Sequence, residues 1–235
     1  MNVNLLVLWN IDLTLVDVAR VTRAAHAEAF AKVVGKPLVQ LPQMAGRSES
    51  EIFFDALALN DIDMSPASDE LVQPFSAELA RAMRVRRDQL VTQGQLMPGA
   101  ADAMKAVQSY DKAVPSVLTG TSRANAELKL AAFNLDGFVD LEVGGYGDEV
   151  FPRGTLVQVI KQRAGAKYRT EFDEKNTVYI ADSVRDVGAA ELGGARSIAV
   201  ATGRSSAAEL REAGAGTVLA DLTDAAALLR LLVNG

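Results

Sequence analysis

Short runs of apolar residues alternate with amphipathic stretches along most of the chain. The apolar runs cover residues 5–9, 114–118, 177–180, 197–200 and 217–219. Runs of this length that are apolar almost throughout are typical of strands buried on both faces of a parallel sheet. Residues 100–109, 124–133, 155–164 and 207–213 instead have the apolar spacing of helices. The pattern predicts an α/β fold with a doubly wound parallel sheet.

The pattern changes after the first predicted strand. Residues 18–93 contain no strand-like run, only helical periodicity over 22–34, 48–59 and 69–87. Ser48 and Glu51 have the spacing of a capping box at the start of the second of these helices. Pro98 and Gly99 mark the return to the alternating pattern. We therefore predict a core domain of residues 1–17 and 94–235, with an inserted all-helical domain of residues 18–93.

The composition narrows the class of protein. The chain has 235 residues, of which 49% are hydrophobic and 23% charged, enough apolar material for one large domain and a smaller insert. The net charge of −6 argues against general nucleic-acid binding. No apolar run approaches the roughly 18 residues of a membrane span, and the N-terminus does not resemble a signal peptide. A cytoplasmic location, with no nucleic-acid or membrane partner, is the default expectation.

Residues that suit phosphate and metal chemistry follow three of the predicted strands. They are Asn10, Asp12, Thr119, Gly120, Asp182 and Asp186. Because ligands of open parallel sheets bind beyond the carboxyl ends of the strands, we expect these residues to lie together. Two carboxylates four residues apart after a buried strand suit a hard cation such as Mg²⁺.

The segment around Asn10 resembles the first motif of a known enzyme family. The apolar run followed by Asn10-Ile11-Asp12-Leu13-Thr14 is similar to hhhhDxDGTLxD, the first motif of the haloacid dehalogenase superfamily of phosphatases. The resemblance implies a Rossmann-like core with a helical cap, and an aspartyl-phosphate formed by the first aspartate. The second aspartate, matched by Asp12, would act as general acid and then as general base. Asn10 occupies the nucleophile position, where a neutral amide is a poor nucleophile.

The resemblance also implies a phosphate-binding set. Thr119 would hold a phosphate oxygen, assisted by the backbone N–H groups that begin with Gly120. Arg153 lies where related sequences have a lysine or arginine before a helix, and it would stabilise the phosphoryl group. Lys161 is the second choice for this role. Arg47 lies in a stretch similar to the cap loop of phosphoglycolate-phosphatase-like members, so it could pair with the substrate.

A Mg²⁺ site follows from the same resemblance. Residues 181–186 are similar to the acidic motif GDxxxD, with Ala181 in place of glycine. Mg²⁺ would be bound by Asn10, by the backbone carbonyl of Asp12 and by Asp182. Asp186 would bind it through water or orient neighbouring groups. The ion would neutralise charge on the phosphoryl group.

Two residues depart from the family motif. Leu13 replaces a glycine, so we expect a less tight turn. Asn10 removes the covalent route, which should add several kcal/mol to the barrier, where each 1.4 kcal/mol or so is tenfold in rate. The asparagine could be engineered to trap substrate, or it could be natural and leave a binding or regulatory protein. Because the other motif residues, including Asp12, are intact, engineering is favoured.

These observations together predict a Mg²⁺-dependent phosphatase that acts on a small phosphorylated metabolite, with Asn10 leaving this chain nearly inactive. A monomer or a homodimer is expected. Two alternatives stay open: a sugar-phosphate mutase of the same superfamily, and a non-catalytic module that binds a phosphate ligand or a protein. The only histidine, His26, is expected to pack within the insert.

Overall fold

Five parallel strands form the central sheet of the computed structural model, which describes residues 3–62, 67–149 and 153–234, without the side chains of residues 67 and 153. The strands are β1 (Leu5–Trp9), β4 (Ala113–Val117), β5 (Thr177–Ala181), β6 (Arg196–Val200) and β7 (Thr217–Leu219). Their order across the sheet is β4-β1-β5-β6-β7. Every predicted strand is present, within one residue of its predicted bounds.

Strand β1 is buried on both faces. Because successive side chains of a strand point to opposite faces, Leu5, Val7 and Trp9 join one hydrophobic core, and Leu6 and Leu8 join a second. The first core includes residues of α6 (Ala100–Gln108), α7 (Arg123–Ala132) and α11 (Ala225–Asn234). The second includes residues of α8 (Arg153–Tyr168) and α9 (Val184–Gly193). The predicted doubly wound α/β fold is confirmed.

Four smaller elements complete this part of the chain. A 3₁₀ helix covers Asp136–Phe138, α10 covers Ala207–Glu212, and β2 (Val16–Asp17) pairs antiparallel with β3 (Gln95–Leu96). The register of this pair joins Val16 to Leu96 and Asp17 to Gln95. The pair was not predicted, because two residues are too few to show a periodicity. It lies where the chain leaves the sheet for the insert and where it returns.

Between β2 and β3 the regular elements of the described residues are all helices, as predicted. The helices are α1 (Ala19–Val34), α2 (Glu49–Leu59), α3 (Ala67–Glu70), α4 (Val72–Val85) and α5 (Arg87–Gln93). The predicted capping box of Ser48 and Glu51 begins α2. The prediction of a single helix over residues 69–87 was wrong. Pro74 has no backbone N–H, so it fits the first turn of α4 but not a helix continuous with α3. The exact bounds of the insert, 18–93, stay a prediction.

Aromatic rings fill the core of the insert. Phe53 stacks on Phe75 with ring centroids 4.4 Å apart, and Phe30 meets Phe53 edge-on. His26 packs edge-on against Phe75 at 5.8 Å, as expected. This packing joins α1, α2 and α4 into one body above the carboxyl edge of the sheet. None of the described helices is both long and apolar enough to cross a membrane.

Candidate active site

A cavity of about 340 Å³ lies between the carboxyl edge of the sheet and the insert. Loops after β1, β4, β5 and β6 bring polar residues to its wall, as the strand-end rule predicts. The residues from these loops include Asn10, Asp12, Thr119, Gly120, Asp182 and Gly203. Helices α1 and α2 form the opposite wall. The cavity is therefore where residues distant in sequence can act on one ligand.

The amide of Asn10 is a hydrogen-bond donor at the centre of this edge. Its Nδ2 lies 2.9 Å from the backbone oxygen of Asp12, 2.9 Å from Asp182 Oδ1 and 3.2 Å from Thr14 Oγ1. Two hydrogens are thus shared among three oxygen atoms. Asn10 is buried, so water competes little for these bonds. The amide nitrogen joins two oxygen atoms that were predicted to bind Mg²⁺.

Asp182 is a buried carboxylate with few cationic neighbours. Besides Asn10, the Thr14 hydroxyl donates to Oδ1 at 2.9 Å. A Cβ at position 203 would collide with Oδ2, so Gly203 is what leaves room for the carboxylate. Burial, and next the negative charge of Asp186, raise the pKa of Asp182 to about 7. A bound cation would stabilise the ionised form of this carboxylate.

The Asp12 carboxylate is paired with a buried lysine. Lys129 Nζ lies 2.8 Å from Asp12 Oδ1 and 2.7 Å from Oδ2. The Thr121 hydroxyl also donates to Oδ2, at 3.1 Å. The lysine side chain is 2% exposed, whereas 40% of the Asp12 side chain is exposed. Both oxygens of Asp12 therefore accept hydrogen bonds while the carboxylate still faces the cavity.

Thr119 and Gly120 form the loop after β4. Thr119 is buried, lines the cavity, and accepts a hydrogen bond from the Thr121 N–H at 3.2 Å. The carbonyl of Gly120 accepts the N–H of Glu49, from the insert, at 3.0 Å. Thr119 thus lies where a phosphate-binding hydroxyl was predicted, and its role stays a prediction.

Asp186 lies behind the cavity wall. Its oxygens accept hydrogen bonds from the Tyr179 hydroxyl at 2.9 Å and the Ser183 hydroxyl at 2.5 Å. Its backbone N–H is bonded to Ser183 Oγ at the start of α9. Of its two predicted roles, orienting neighbouring groups is consistent with these contacts, and binding Mg²⁺ through water stays a prediction.

Leu13 has a left-handed backbone conformation that glycine adopts more readily than other residues. Its φ is 61°, in the left-handed region that costs a branched side chain about 1–2 kcal/mol. Its N–H donates to the Val16 carbonyl at 2.8 Å, and its carbonyl accepts from the Thr202 hydroxyl at 2.7 Å. These two bonds hold the turn, and the expectation that it is less tight than one with glycine stays a prediction.

Contacts across the cavity hold the insert against the core. The Glu49 carboxylate accepts from Asn125 Nδ2 of α7 at 2.9 Å. Glu51 pairs with Arg185 at 3.3 Å. Gly46 lies so close to Arg185 that a Cβ would meet its side chain at 2.6 Å. These contacts close the insert over the sheet edge.

The three predicted cations lie in different surroundings. Arg47 lines the cavity and pairs with Asp55 of the insert. Arg153 is the first residue of α8, and its side chain lies outside the described part of the chain. Lys161 donates to the carbonyl of Gly194 at 2.8 Å, at the end of α9, and is not among the residues that line the cavity. The second choice for the phosphate-binding cation is therefore wrong.

Several residues of the site were missed from the sequence. They are Thr14, Thr22, Glu49, Thr121 and Lys129. Lys129 had a usable signal, because it lies on the same side of α7 as the buried Ala126 and Leu130. A lysine on an apolar helix face points to a buried partner.

The site has part of what Mg²⁺ requires. The Asp182 carboxylate and the Asp12 carbonyl are oxygen ligands of the right kind, and they converge on one point. Among the described residues, no three acidic, histidine or cysteine side chains form a group that could hold a metal ion. Because Asn10 Nδ2 now occupies the point of convergence, the residues fit Mg²⁺ only when this amide turns its oxygen inward.

Comparisons with known proteins give a match to one family and several similar structures. The family described as haloacid dehalogenase-like hydrolase matches residues 7–191. No curated protein matches the chain. A hydrolase from Pseudomonas syringae is similar in structure, with a TM-score of 0.68 and 20% identity over 97% of this chain and 99% of its own.

Two further structures are similar over nearly their whole lengths. A predicted phosphoglycolate phosphatase from Haemophilus somnus has a TM-score of 0.68 and 16% identity, covering 97% of this chain and 99% of its own. A protein from Thermotoga maritima that is provisionally assigned as a beta-phosphoglucomutase has a TM-score of 0.61 and 19% identity, covering 97% and 100%. At these identities the similarity shows the fold alone.

Proposed function

The chain belongs to the haloacid dehalogenase-like hydrolases, and on that premise we propose that it is a phosphatase scaffold that binds a small phosphomonoester and turns it over poorly. The phosphate group would lie at the carboxyl edge of the sheet, against Thr119 and Gly120. Arg47 and Arg153 would contribute positive charge. The insert, residues 18–93, would act as a cap that excludes water from the ester.

One observation carries the proposal. At the nucleophile position, Asn10 donates hydrogen bonds to the Asp12 carbonyl and to Asp182. A side chain that donates at this point offers phosphorus no negatively charged oxygen, whereas an aspartate there could form an aspartyl-phosphate. The other residues of the motif remain in place, so substrate binding would be retained while the chemical step is lost.

Magnesium would bind weakly in this chain. When bound, it would neutralise charge on the transferring phosphoryl group. Asp182 and the carbonyl of Asp12 would bind it, and Asn10 would contribute its Oδ1. Asp186 would keep the loop after β5 in position through Ser183. We expect low affinity because a neutral amide replaces one anionic ligand.

Asp12 would assist the leaving group only after a local change. Both of its oxygens accept hydrogen bonds, from Lys129 and Thr121. To donate a proton to a leaving oxygen, Asp12 must first bind that proton and release one of these contacts. Lys129 would therefore be a positioning residue that fixes the direction of the Asp12 carboxylate.

The same contacts favour a second candidate, a non-catalytic module that binds a phosphate ligand. With Asn10 unable to attack and Asp12 held by Lys129, such a module would need no further change. It would bind ligand without turnover, and restoring an aspartate at position 10 would not produce an efficient enzyme.

The test is Mg²⁺-dependent phosphate release from a panel of small phosphomonoesters, with the parent chain and Asn10→Asp side by side. Turnover by Asn10→Asp alone would support the proposal. Asn10→Ala is the matched control, since it removes the amide without adding a carboxylate and should stay inactive. Adding Asp12→Asn to the active variant should remove its turnover.

Two other outcomes separate the alternatives. If no variant releases phosphate from any ester of the panel while ligand binding is retained, the result would contradict the phosphatase proposal and favour the binding module. Phosphorus NMR would indicate a mutase if it showed one sugar phosphate converted into its isomer without phosphate release.

A further inference from the structure

Three cavity residues of the insert carry polar atoms that have no hydrogen-bond partner in the described part of the chain. They are Thr22 Oγ1, His26 Nε2 and Glu49 Oε2. The three residues are 7%, 2% and 7% exposed, and all line the cavity. Because an unpaired buried polar group costs about 1–3 kcal/mol, a cluster of three indicates a ligand that pairs with them.

The hydrogen-bonding state of His26 follows from geometry. Its Nδ1 lies 2.9 Å from the backbone oxygen of Thr22, which can only accept. Nδ1 must therefore carry the proton, and Nε2 has a free lone pair. Burial, the largest influence, lowers the pKa of His26 to about 4, so the ring stays neutral near pH 7. Nε2 thus requires a donor from the ligand.

Thr22 and Glu49 complete the set. The Thr22 hydroxyl can donate or accept. Glu49 Oε1 accepts a hydrogen bond from Asn125 Nδ2. Ser122, whose Oγ is also unpartnered, interacts with the same carboxylate, and Oε2 makes no hydrogen bond within the described part of the chain. Burial raises the pKa of Glu49, which reduces the charge of this wall. Apolar groups such as Ile52 line the same cavity.

We propose that Thr22, His26 and Glu49 form a subsite for the hydroxyl groups of a polyol or sugar, so that the substrate is a phosphate ester of a neutral, hydroxyl-rich alcohol. This inference rests on the proposed function, since it identifies the alcohol part of the same ester. An alcohol hydroxyl both donates and accepts, so it can satisfy all three atoms. A carboxylate only accepts, so it would leave His26 Nε2 unpaired and would face Glu49.

Cationic residues at the cavity give a competing expectation. Arg23, Arg47 and Arg204 also line it, and a ligand carboxylate could pair with them. Arg23 and Arg204 are exposed, so they lie toward solvent, whereas the three unpartnered atoms are buried. The buried set should decide which alcohol is preferred, because a missing partner is most costly where water is absent.

The experiment measures binding to the full chain by calorimetry with four probes: inorganic phosphate, propyl phosphate, glycerol 1-phosphate and phosphoglycolate. Propyl phosphate and glycerol 1-phosphate have the same carbon skeleton and differ in their hydroxyls. We expect glycerol 1-phosphate to bind about tenfold tighter than propyl phosphate, since one hydrogen bond contributes about twofold to tenfold. Phosphoglycolate should bind no tighter than propyl phosphate.

Thr22→Val tests the residues directly. The change keeps the shape of the side chain. It should reduce the preference for glycerol 1-phosphate over propyl phosphate by at least about twofold and leave the affinity for propyl phosphate unchanged. Thr177→Val is the matched control, because Thr177 is a buried threonine with an unpartnered hydroxyl that does not line the cavity. It should leave every affinity unchanged.

The outcomes distinguish this inference from the proposed function. Equal affinity for propyl and glycerol phosphates, tightest binding of phosphoglycolate, or an unchanged preference in Thr22→Val would overturn the hydroxyl subsite while leaving the phosphate site in place. Failure of all four probes to bind, inorganic phosphate included, would overturn the proposed function and the subsite with it.

Discussion

Replacing Asn10 by aspartate should make the stability of the protein depend on Mg²⁺. The amide nitrogen lies 2.9 Å from Asp182 Oδ1 and donates to it. In Asn10→Asp an oxygen takes the place of this donor, so an attraction becomes a repulsion between two buried carboxylates. We expect the metal-free variant to be less stable than the parent.

The magnitude follows from the distance and the burial. Losing a hydrogen bond to a charged group costs about 1.5–3 kcal/mol. Two charges about 3 Å apart repel by about 6 kcal/mol at an effective dielectric constant of about 20. Binding one proton to the pair relieves the repulsion, and from an ordinary carboxyl pKa of about 3.9 to pH 7 this costs about 4 kcal/mol. The protonated carboxyl can donate to the other one, which replaces the lost hydrogen bond, and the pKa of Asp182 is already raised to about 7 in the parent. The free energy of unfolding should therefore fall by at most about 4 kcal/mol.

Magnesium should reverse most of this loss. A cation between the two carboxylates removes the repulsion, and at a concentration of about a hundred times Kd it adds about 2.7 kcal/mol to the free energy of unfolding. The parent should gain much less, because its Asn10 amide must first turn its oxygen inward. The assay is urea unfolding of both chains, with a chelator and then with saturating Mg²⁺.

The control is Asn4→Asp, which makes the same chemical change at an exposed position. It should shift neither the stability nor the Mg²⁺ response by more than about 0.5 kcal/mol. Equal stabilisation of the parent and Asn10→Asp by Mg²⁺, or an unchanged stability of metal-free Asn10→Asp, would refute the contact between Asn10 and Asp182 as the reason.

Two further changes test the surroundings of the site. Burial lowers the pKa of His26 from 6.5 to about 4, so the unfolded chain binds this proton at a higher pH than the folded chain. The free energy of unfolding should therefore fall by up to about 3 kcal/mol between pH 6.5 and pH 4 because of His26. Urea unfolding across this range should show a steeper loss for the parent than for His26→Gln, and parallel curves would contradict it. Gly203→Ala should cost about 1–3 kcal/mol through its collision with Asp182, whereas Gly188→Ala, in open space on α9, should stabilise slightly; thermal unfolding compares them, and equal effects would contradict the collision.

The sequence predicted the centre of the sheet well because β1 and β5 are buried on both faces. Such strands are apolar throughout, so residues 5–9 and 177–180 stood out from their surroundings. The pair β2 and β3 has no comparable signal, since its partners are joined by tertiary register alone. Pro74 marks the start of α4 in the sequence, but the helical periodicity of residues 69–87 continues across the break between α3 and α4.

The site was predicted in position and only partly in contacts. The strand-end rule brought Asn10 and Asp182 to one edge, and the structure places them there. The direction of the Asn10 amide depends on which oxygen atoms surround it after folding. The pairing of Asp12 with Lys129 joins residues 117 apart, and periodicity alone cannot specify such a partner. Leu13 shows the opposite case, where tertiary hydrogen bonds impose a conformation that the residue itself disfavours.

The pairing of β2 with β3 has a mechanical consequence. Val16 and Leu96, and Asp17 and Gln95, hold both connections to the insert side by side. Sliding one connection past the other would break these hydrogen bonds, whereas rotation about the pair would preserve them. We therefore expect the insert to open by swinging on this short ribbon as a hinge. The contacts of Glu49 and Glu51 with the core would have to separate for the insert to swing in this way.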